Sequence, residues 1–296
     1  MGSLINLFKI TILSIVEGVT EFLPISSTGH LILVNEFVKL EPETFANAFN
    51  VIIQLGAILS VIILYWDRLN PWADSKIAHK RPGRYEHWNW QTKAYFNLNH
   101  ADEKTMKLWL KVLIACIPGG ILGFLFDDYI DANFTNMPVV TATLLIYGVI
   151  IVALEKWNGK RKRFLINTTE ELDYRRAFLI GCFQSLALIP GTSRSAATIL
   201  GAMLLGTGRV AAAEFSFFLA IPTMVGATLL KVIKNLGVFS GMQWLMILIG
   251  FVLSFIVAYI VIKKFMEYIK RNDFTFFGYY RIGLSAILII YMLLTM

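Results

Sequence analysis

The sequence predicts an all-α integral membrane protein: six transmembrane helices plus two re-entrant broken-helix hairpins, related as an inverted repeat within one domain spanning residues 1–296. Three observations carry that prediction. Apolar residues make up 56% of the chain, with 22 Phe and 7 Trp, and the mean hydropathy is +0.63, well beyond a soluble domain. Six apolar runs are each long enough, or nearly so, to cross a bilayer core. Two further apolar stretches are each interrupted by a proline and a polar loop.

In chain order, Leu4 to Leu23 is apolar but stops at Pro24, and the following "LILVNEFV" would rise only about 12 Å as a helix against a core of roughly 30 Å. That piece cannot span, so residues 1–38 form a hairpin that enters and leaves on one side. Ordinary spans follow at about 45–66, 108–126 and 138–156. The second interrupted stretch is "AFLIGCFQSLALI", which stops at Pro190, with "GTSRS" and then "AATILGAMLLG" behind it. Spans at about 210–233, 243–262 and 279–296 complete the chain. An offset of 166 pairs Pro24 with Pro190, Ser27 with Ser193, Ala46 with Ala212 and Phe49 with Phe215. The repeat halves are therefore 1–157, including a hydrophilic segment at 67–107, and 174–296.

Charge sets the orientation. Residues 67–111 hold nine Lys or Arg and residues 156–176 hold seven, whereas "DDYIDANFTN" between them holds none, so the basic segments are cytoplasmic. The first hairpin then dips in from outside and the second from inside, and both polar loops meet in an enclosed cavity, the one place irregular backbone is tolerated at membrane depth. The net charge of +7 is accounted for by these loops, and nucleic acid is not an expected partner. Cys116 and Cys182 lie in apolar runs outside any metal or redox spacing. His79, His87 and His100 with Trp72, Trp88 and Trp90 give 67–107 the composition of an interfacial loop, and no pair of its histidines has a ligand spacing.

The chemistry is concentrated in the two loops. Glu17 and Glu21 lie four apart on one helix face, and Ser26, Ser27, Thr28 and His30 open the next helix. Ionisable groups at membrane depth are expensive and mark function. In the second loop Gly191 lets backbone approach a ligand, while Thr192, Ser193 and Ser195 add hydroxyls. Arg194 stands in an apolar stretch without a sequence-local acid, and its planar fork suits a phosphate; the structural alternative is an ion pair with Glu17, Glu21 or Glu214. Both loops precede helices, whose open N–H groups favour an anion.

The stretches "EGVTEFLPISSTGH" and "QSLALIPGTSRSAATI" resemble the two signature motifs of the undecaprenyl-diphosphate phosphatases linked to bacitracin resistance, and "FNVIIQLGAILSVI" and "AAEFSFFLAIPTMVGA" extend the likeness nearly end to end. Ala196 departs from the glycine expected there, and 67–107 is longer than usual for that family. The resemblance implies a bacterial plasma-membrane enzyme with an outward-opening site that hydrolyses the C55 lipid carrier diphosphate to the monophosphate, replenishing the carrier for peptidoglycan and other envelope polymers. It carries over Glu17, Glu21, Ser27, Thr28, His30, Ser193 and Arg194. The expected partners are a lipid diphosphate substrate, membrane lipids and, as a candidate assembly, a second copy in a homodimer.

A mechanism consistent with both readings has Ser27 attack the terminal phosphorus, His30 take its proton, and Arg194 with the loop N–H groups neutralise the phosphoryl oxygens. Glu17 and Glu21 then either orient His30 or hold a divalent cation, Mg2+ or Ca2+, completed by substrate oxygens and water. Two rivals remain. Broken helices in an inverted repeat are also transporter architecture, so a flippase or transporter for a polyprenyl phosphate or small anion is the alternative. A phosphatidic-acid-phosphatase mechanism needs a second histidine after the arginine motif, and residues 101–296 contain none.

Overall fold

The computed structural model describes residues 2–78, 81–83, 85–159, 164–235 and 237–295; His79 lies outside the described residues. Those residues are helical, with one isolated parallel bridge between Ile166 and Thr207 as their only strand-like pairing. Six helices are long and apolar enough to cross a membrane: Glu43–Leu64, Glu103–Phe126, Met137–Asn158, Arg209–Ile233, Gly241–Arg271 and Thr275–Leu294. These overlap the six predicted runs, with ends shifted by a few residues in most.

The helices are α1 (Gly2–Thr20), α2 (Ser27–Phe37), α3 (Glu43–Leu64), the short α4 (Trp66–Leu69) and α5 (Asp74–Ile77), α6 (Trp90–Asn99), α7 (Glu103–Phe134), α8 (Met137–Asn158), α9 (Tyr174–Ser185), α10 (Arg194–Leu204), α11 (Arg209–Asn235), α12 (Gly241–Arg271) and α13 (Thr275–Thr295). Most starts are dictated locally. The side chains of Asp102, Asn136, Asp173 and Ser240 each accept a hydrogen bond from a first-turn backbone N–H, satisfying one donor that the helix cannot. Ser240 also forms a reciprocal capping box with Gln243.

The packing is crossed between the two ends of the chain. α12 lies on α1 and α3, α7 lies on α9 and α11, and α13 lies on α8. Small residues permit the closest crossings, as expected where lipid supplies no hydrophobic drive between helices. A Cβ at Gly18 of α1 would sit 2.8 Å from the Ser254 carbonyl of α12, and one at Gly181 of α9 would sit 2.1 Å from the Ala115 carbonyl of α7. The main core runs through α11, whose Phe215, Phe217 and Phe218 are fully buried. By contrast Phe124, Leu293 and Leu294 are strongly exposed, as befits a surface facing lipid.

The basic end is tied by ion pairs. Arg68 binds Glu214 at 2.6 Å and Glu170 at 3.1 Å, and Arg209 grips the buried Glu155 through both its Nε and Nη2. The described residues of 67–107 pack at this end: Lys76 donates to Thr105 at 2.7 Å, Trp109 to the Leu69 carbonyl at 2.8 Å, and Tyr85, Trp88 and Phe96 form an aromatic cluster. His100 stacks on Phe96, and no set of three or more metal-ligating side chains converges among the described residues.

Candidate active site

The two interrupted stretches have the same local shape. α1 ends at Thr20 and a turn carries the chain to Ser26, the cap of α2; α9 passes through a 3-10 turn, Leu186–Leu188, to Ser193, the cap of α10. Both capping serines hold left-handed backbone, φ 76° and 72°, and these are the non-glycine residues with positive φ among those described. Such geometry costs about 1–3 kcal/mol and persists only where the surroundings impose it. Each serine then caps its own helix, Ser26 accepting from Gly29 N at 3.2 Å and Ser193 from Ala196 N at 3.2 Å.

These caps correct the predicted register. Ser193 is the counterpart of Ser26, not of Ser27, so the loop is offset by 167. The second loop has one more residue between proline and cap, and the connection from α10 to α11 has one fewer than that from α2 to α3. The offset of 166 is thereby restored at Glu43 and Arg209, and Phe49 and Phe215 are both fully buried. The consequence is chemical: Ser27 and Arg194 occupy the same position, the first residue of a helix.

The loops converge on one cleft of about 190 Å³, with Glu21, Ser27 and Thr28 from the first and Gly191, Ser193 and Arg194 from the second among its walls. Ser27 Oγ donates to Glu21 Oε2 at 2.5 Å, and Arg194 Nη2 donates to Glu21 Oε1 at 3.3 Å. Arg194 Nη1 reaches the Ser216 carbonyl at 2.8 Å, leaving its buried Nε without a partner. The predicted structural pairing of Arg194 is thus realised with Glu21, while Glu214 belongs to Arg68. The loops also touch directly, Ser195 Oγ donating to the Leu23 carbonyl at 2.9 Å and sharing a 3.0 Å contact with Ser193 Oγ. Thr192 is buried beside them. At Gly191, φ is +86° and a Cβ would stand 2.1 Å from Thr143 Oγ1, so only glycine fits.

His30 is not brought to Ser27. Its Nδ1 lies 2.7 Å from the Ser26 carbonyl and its Nε2 lies 2.7 Å from the Tyr280 hydroxyl, with the two rings stacked. Both ring nitrogens are engaged away from the cleft, and the hydroxyl's acceptor is Glu21 instead. The expected serine–histidine pair is replaced by a serine–carboxylate pair, because Ser27 starts α2 and faces the end of α1 whereas His30 turns toward α13. Glu17 is fully buried one turn before Glu21, and neither of its carboxylate oxygens has a hydrogen-bond partner.

Sequence reasoning missed one group. Arg281 of α13 is fully buried and donates to the carbonyls of Pro24, Gly191, Thr143 and Leu144 at 3.3, 2.8, 3.3 and 3.4 Å. The signal was the one that exposed Arg194, a lone charge in an apolar run: Arg281 is the single charged residue of 279–296.

Residues 10–287 match the family model described as bacitracin resistance protein BacA. The chain belongs to the BacA family. It is 48% identical to undecaprenyl-diphosphatase 1 of Clostridioides difficile over 99% of this chain and 98% of the relative. It is 49% identical to the undecaprenyl-diphosphatase of Limosilactobacillus fermentum, covering 97% of this chain and 98% of that protein. The undecaprenyl-diphosphatase of Enterococcus faecalis is 46% identical over 97% of this chain and 98% of its own length. BacA membership and these lengthwise matches agree with the resemblance read from the two loop motifs.

Proposed function

We propose that this BacA protein hydrolyses undecaprenyl diphosphate to the monophosphate and inorganic phosphate at the cleft between its two loops, returning the lipid carrier to peptidoglycan and envelope synthesis. The single observation that carries the chemistry is the buried chain from Ser27 through Glu21 to Arg194. It supplies a nucleophile, a base in contact with it, and a guanidinium with a free donor. As Ser27 Oγ attacks the terminal phosphorus, its proton passes to Glu21, the Oγ–P bond forms, and the bond to the bridging oxygen breaks with the lipid monophosphate leaving. Glu21 hands that proton to the departing lipid monophosphate; water then attacks the phosphoseryl phosphorus and gives its proton to Glu21, and the bond to Ser27 Oγ breaks as Glu21 returns the proton to Oγ and inorganic phosphate leaves. Arg194 and the open first-turn N–H groups of α2 and α10 hold the equatorial oxygens, where phosphoryl transfer most needs stabilisation. His30 orients the Ser26 turn in this reading.

The residues also fit a divalent cation, Mg2+ or Ca2+, in part: Glu17 presents two buried oxygens without partners, and Glu21 lies one turn beyond it. Two carboxylates do not complete a coordination shell, so diphosphate oxygens and waters would supply the remainder. Bound there, the ion would neutralise charge on the diphosphate.

A groove of about 820 Å³, lined by Gly119, Gly123 and Phe124 of α7 with Leu188 and Gly226, shares Arg194 and Thr223 with the cleft. Its apolar walls suit the prenyl chain of a substrate whose diphosphate sits at Arg194. In the orientation set by the basic loops, Ala227 of the cleft wall lies about 27 Å along α11 from its cytoplasmic start at Arg209. That placement favours opening toward the extracytoplasmic side. The crossed packing of α1 on α12 and α9 on α7, together with the twin capped loops, supports two re-entrant hairpins in an inverted repeat.

Phosphate release from C55 and C15 diphosphates by the purified protein in detergent, with and without chelator, tests the assignment. Detergent removes compartments, so release there is hydrolysis and not transport. Release that stops with chelator and returns with Mg2+ or Ca2+ is the expected result. Absence of release under every metal condition contradicts it.

A further inference from the structure

We propose that Arg281 is a positioning residue that locks the two loops against each other, and so fixes the register between Ser27 and Arg194. The inference rests on the phosphatase reading of the cleft. A charge inside a membrane span is costly to insert, which calls for a compensating role. Arg281 is fully buried, and the hydrogen bonds of its guanidinium go to four main-chain carbonyls. A structural ion pair of the Arg209–Glu155 kind is therefore not its purpose.

The identity of two of those carbonyls is informative. Nη1 takes Pro24 and Nη2 takes Gly191. Each lies two residues before a capping serine of positive φ, Ser26 in one loop and Ser193 in the other. One rigid fork thus grips the same position in both loops. Turning these carbonyls toward α13 commits the chain direction at each cap, and with it the first residue of each following helix, Ser27 and Arg194. The remaining two carbonyls, Thr143 and Leu144 of α8, anchor the fork to a spanning helix. Thr143 adds a 2.8 Å bond from its own hydroxyl to the Pro190 carbonyl. The positive charge also stands behind both loops, where it favours an anion in the cleft.

Lysine retains the charge at 281 but carries one ammonium on a flexible stem, which cannot hold both carbonyls in fork geometry. For Arg281→Lys the expected result is a fall in kcat of about 100-fold with KM changed no more than about threefold, since displacement of reacting groups by an ångström costs roughly that much. In an Arg194→Lys background the same change costs less than about fivefold, because the register it protects is no longer used. Independently of activity, amide hydrogen exchange in peptides covering 21–30 and 187–196 accelerates together by at least about tenfold, while α3 and α12 keep their protection. Arg281→Gln, neutral but still a donor, is the second variant and shows the same paired acceleration.

Kinetics within threefold of the parent, full multiplication onto Arg194→Lys, or exchange that accelerates in one loop or across the whole protein overturns the proposal. Failure of both variants to accumulate as folded protein also overturns it, making Arg281 a folding residue. An inactive parent protein would sink the phosphatase reading, and the exchange result would still decide whether Arg281 couples the loops.

Discussion

The first loop and the second share a backbone shape and differ in the side chains they bring to the cleft. Each breaks an apolar stretch at a proline, caps the next helix with a serine of positive φ, and offers its carbonyl two residues earlier to Arg281. The side chains set on that common frame differ in kind. The first loop carries two buried carboxylates, Glu17 and Glu21, and the hydroxyl that donates to Glu21; the second carries the guanidinium with three hydroxyls of its own, and no acid. At the first position of each helix one loop has Ser27 and the other Arg194. One loop thus brings a hydroxyl and the other a guanidinium to the cleft, and Glu21 bonds to both.

The largest expected effect lies in the first loop. Ser27→Ala should lower kcat by about 10⁴-fold or more, and Glu21→Gln should approach it. The double variant should be scarcely worse than either, because a nucleophile and its base act as one unit. Steady-state phosphate release measures all three; near-normal turnover in Ser27→Ala would make a water the nucleophile and break the division of labour. Next comes the second loop: Arg194→Lys keeps the charge and loses the fork, and should lower kcat/KM by about 100-fold.

His30→Ala should cost less than Ser27→Ala by at least about tenfold, since no bond joins His30 to Ser27, whose hydroxyl donates to Glu21. An effect equal to that of Ser27→Ala would return the proton to His30 and require the ring to leave Tyr280 during turnover. The smallest effect belongs to the caps. Ser26→Gly and Ser193→Gly each relieve positive-φ strain of about 1–3 kcal/mol, opposed by a lost side-chain acceptor worth about a few tenths of a kcal/mol and by the greater chain entropy of glycine, about 0.5–1 kcal/mol. Thermal unfolding in detergent should place both within about 1 kcal/mol of the parent, and a large loss at one of them would show that the two frames are not equivalent.

The spans and the presence of two polar interruptions were legible because each depends on a one-dimensional property, the length of an apolar run or a proline beside hydroxyls and charge. The register was legible where packing enforces it, at Phe49 and Phe215, and misread in the loop, where one added residue before Ser193 is offset by one fewer after α10. Counting identities cannot see compensating shifts inside a match this sparse. Residue types at the site were legible for the same reason that buried charge is rare. Their partners were not: helical spacing put Ser27 and His30 near one another, but Tyr280, 250 residues further on, decides where the imidazole goes. Arg281 escaped for the opposite reason, since 279–296 reads as an ordinary span and its lone charge acquires meaning only when both loops are folded against it.

The claim that chemistry resides in the first loop and capture in the second is tested most directly by binding without turnover. Calorimetry of C15 diphosphate with Ser27→Ala should give a Kd within about threefold of that for a non-hydrolysable diphosphate on the parent protein, with no phosphate released. Adding Arg194→Met should then weaken Kd by at least about tenfold, the worth of a hydrogen bond to a charged group at 1.5–3 kcal/mol. Loss of binding in Ser27→Ala itself, or an Arg194→Met protein that binds as tightly as its parent, would contradict the account.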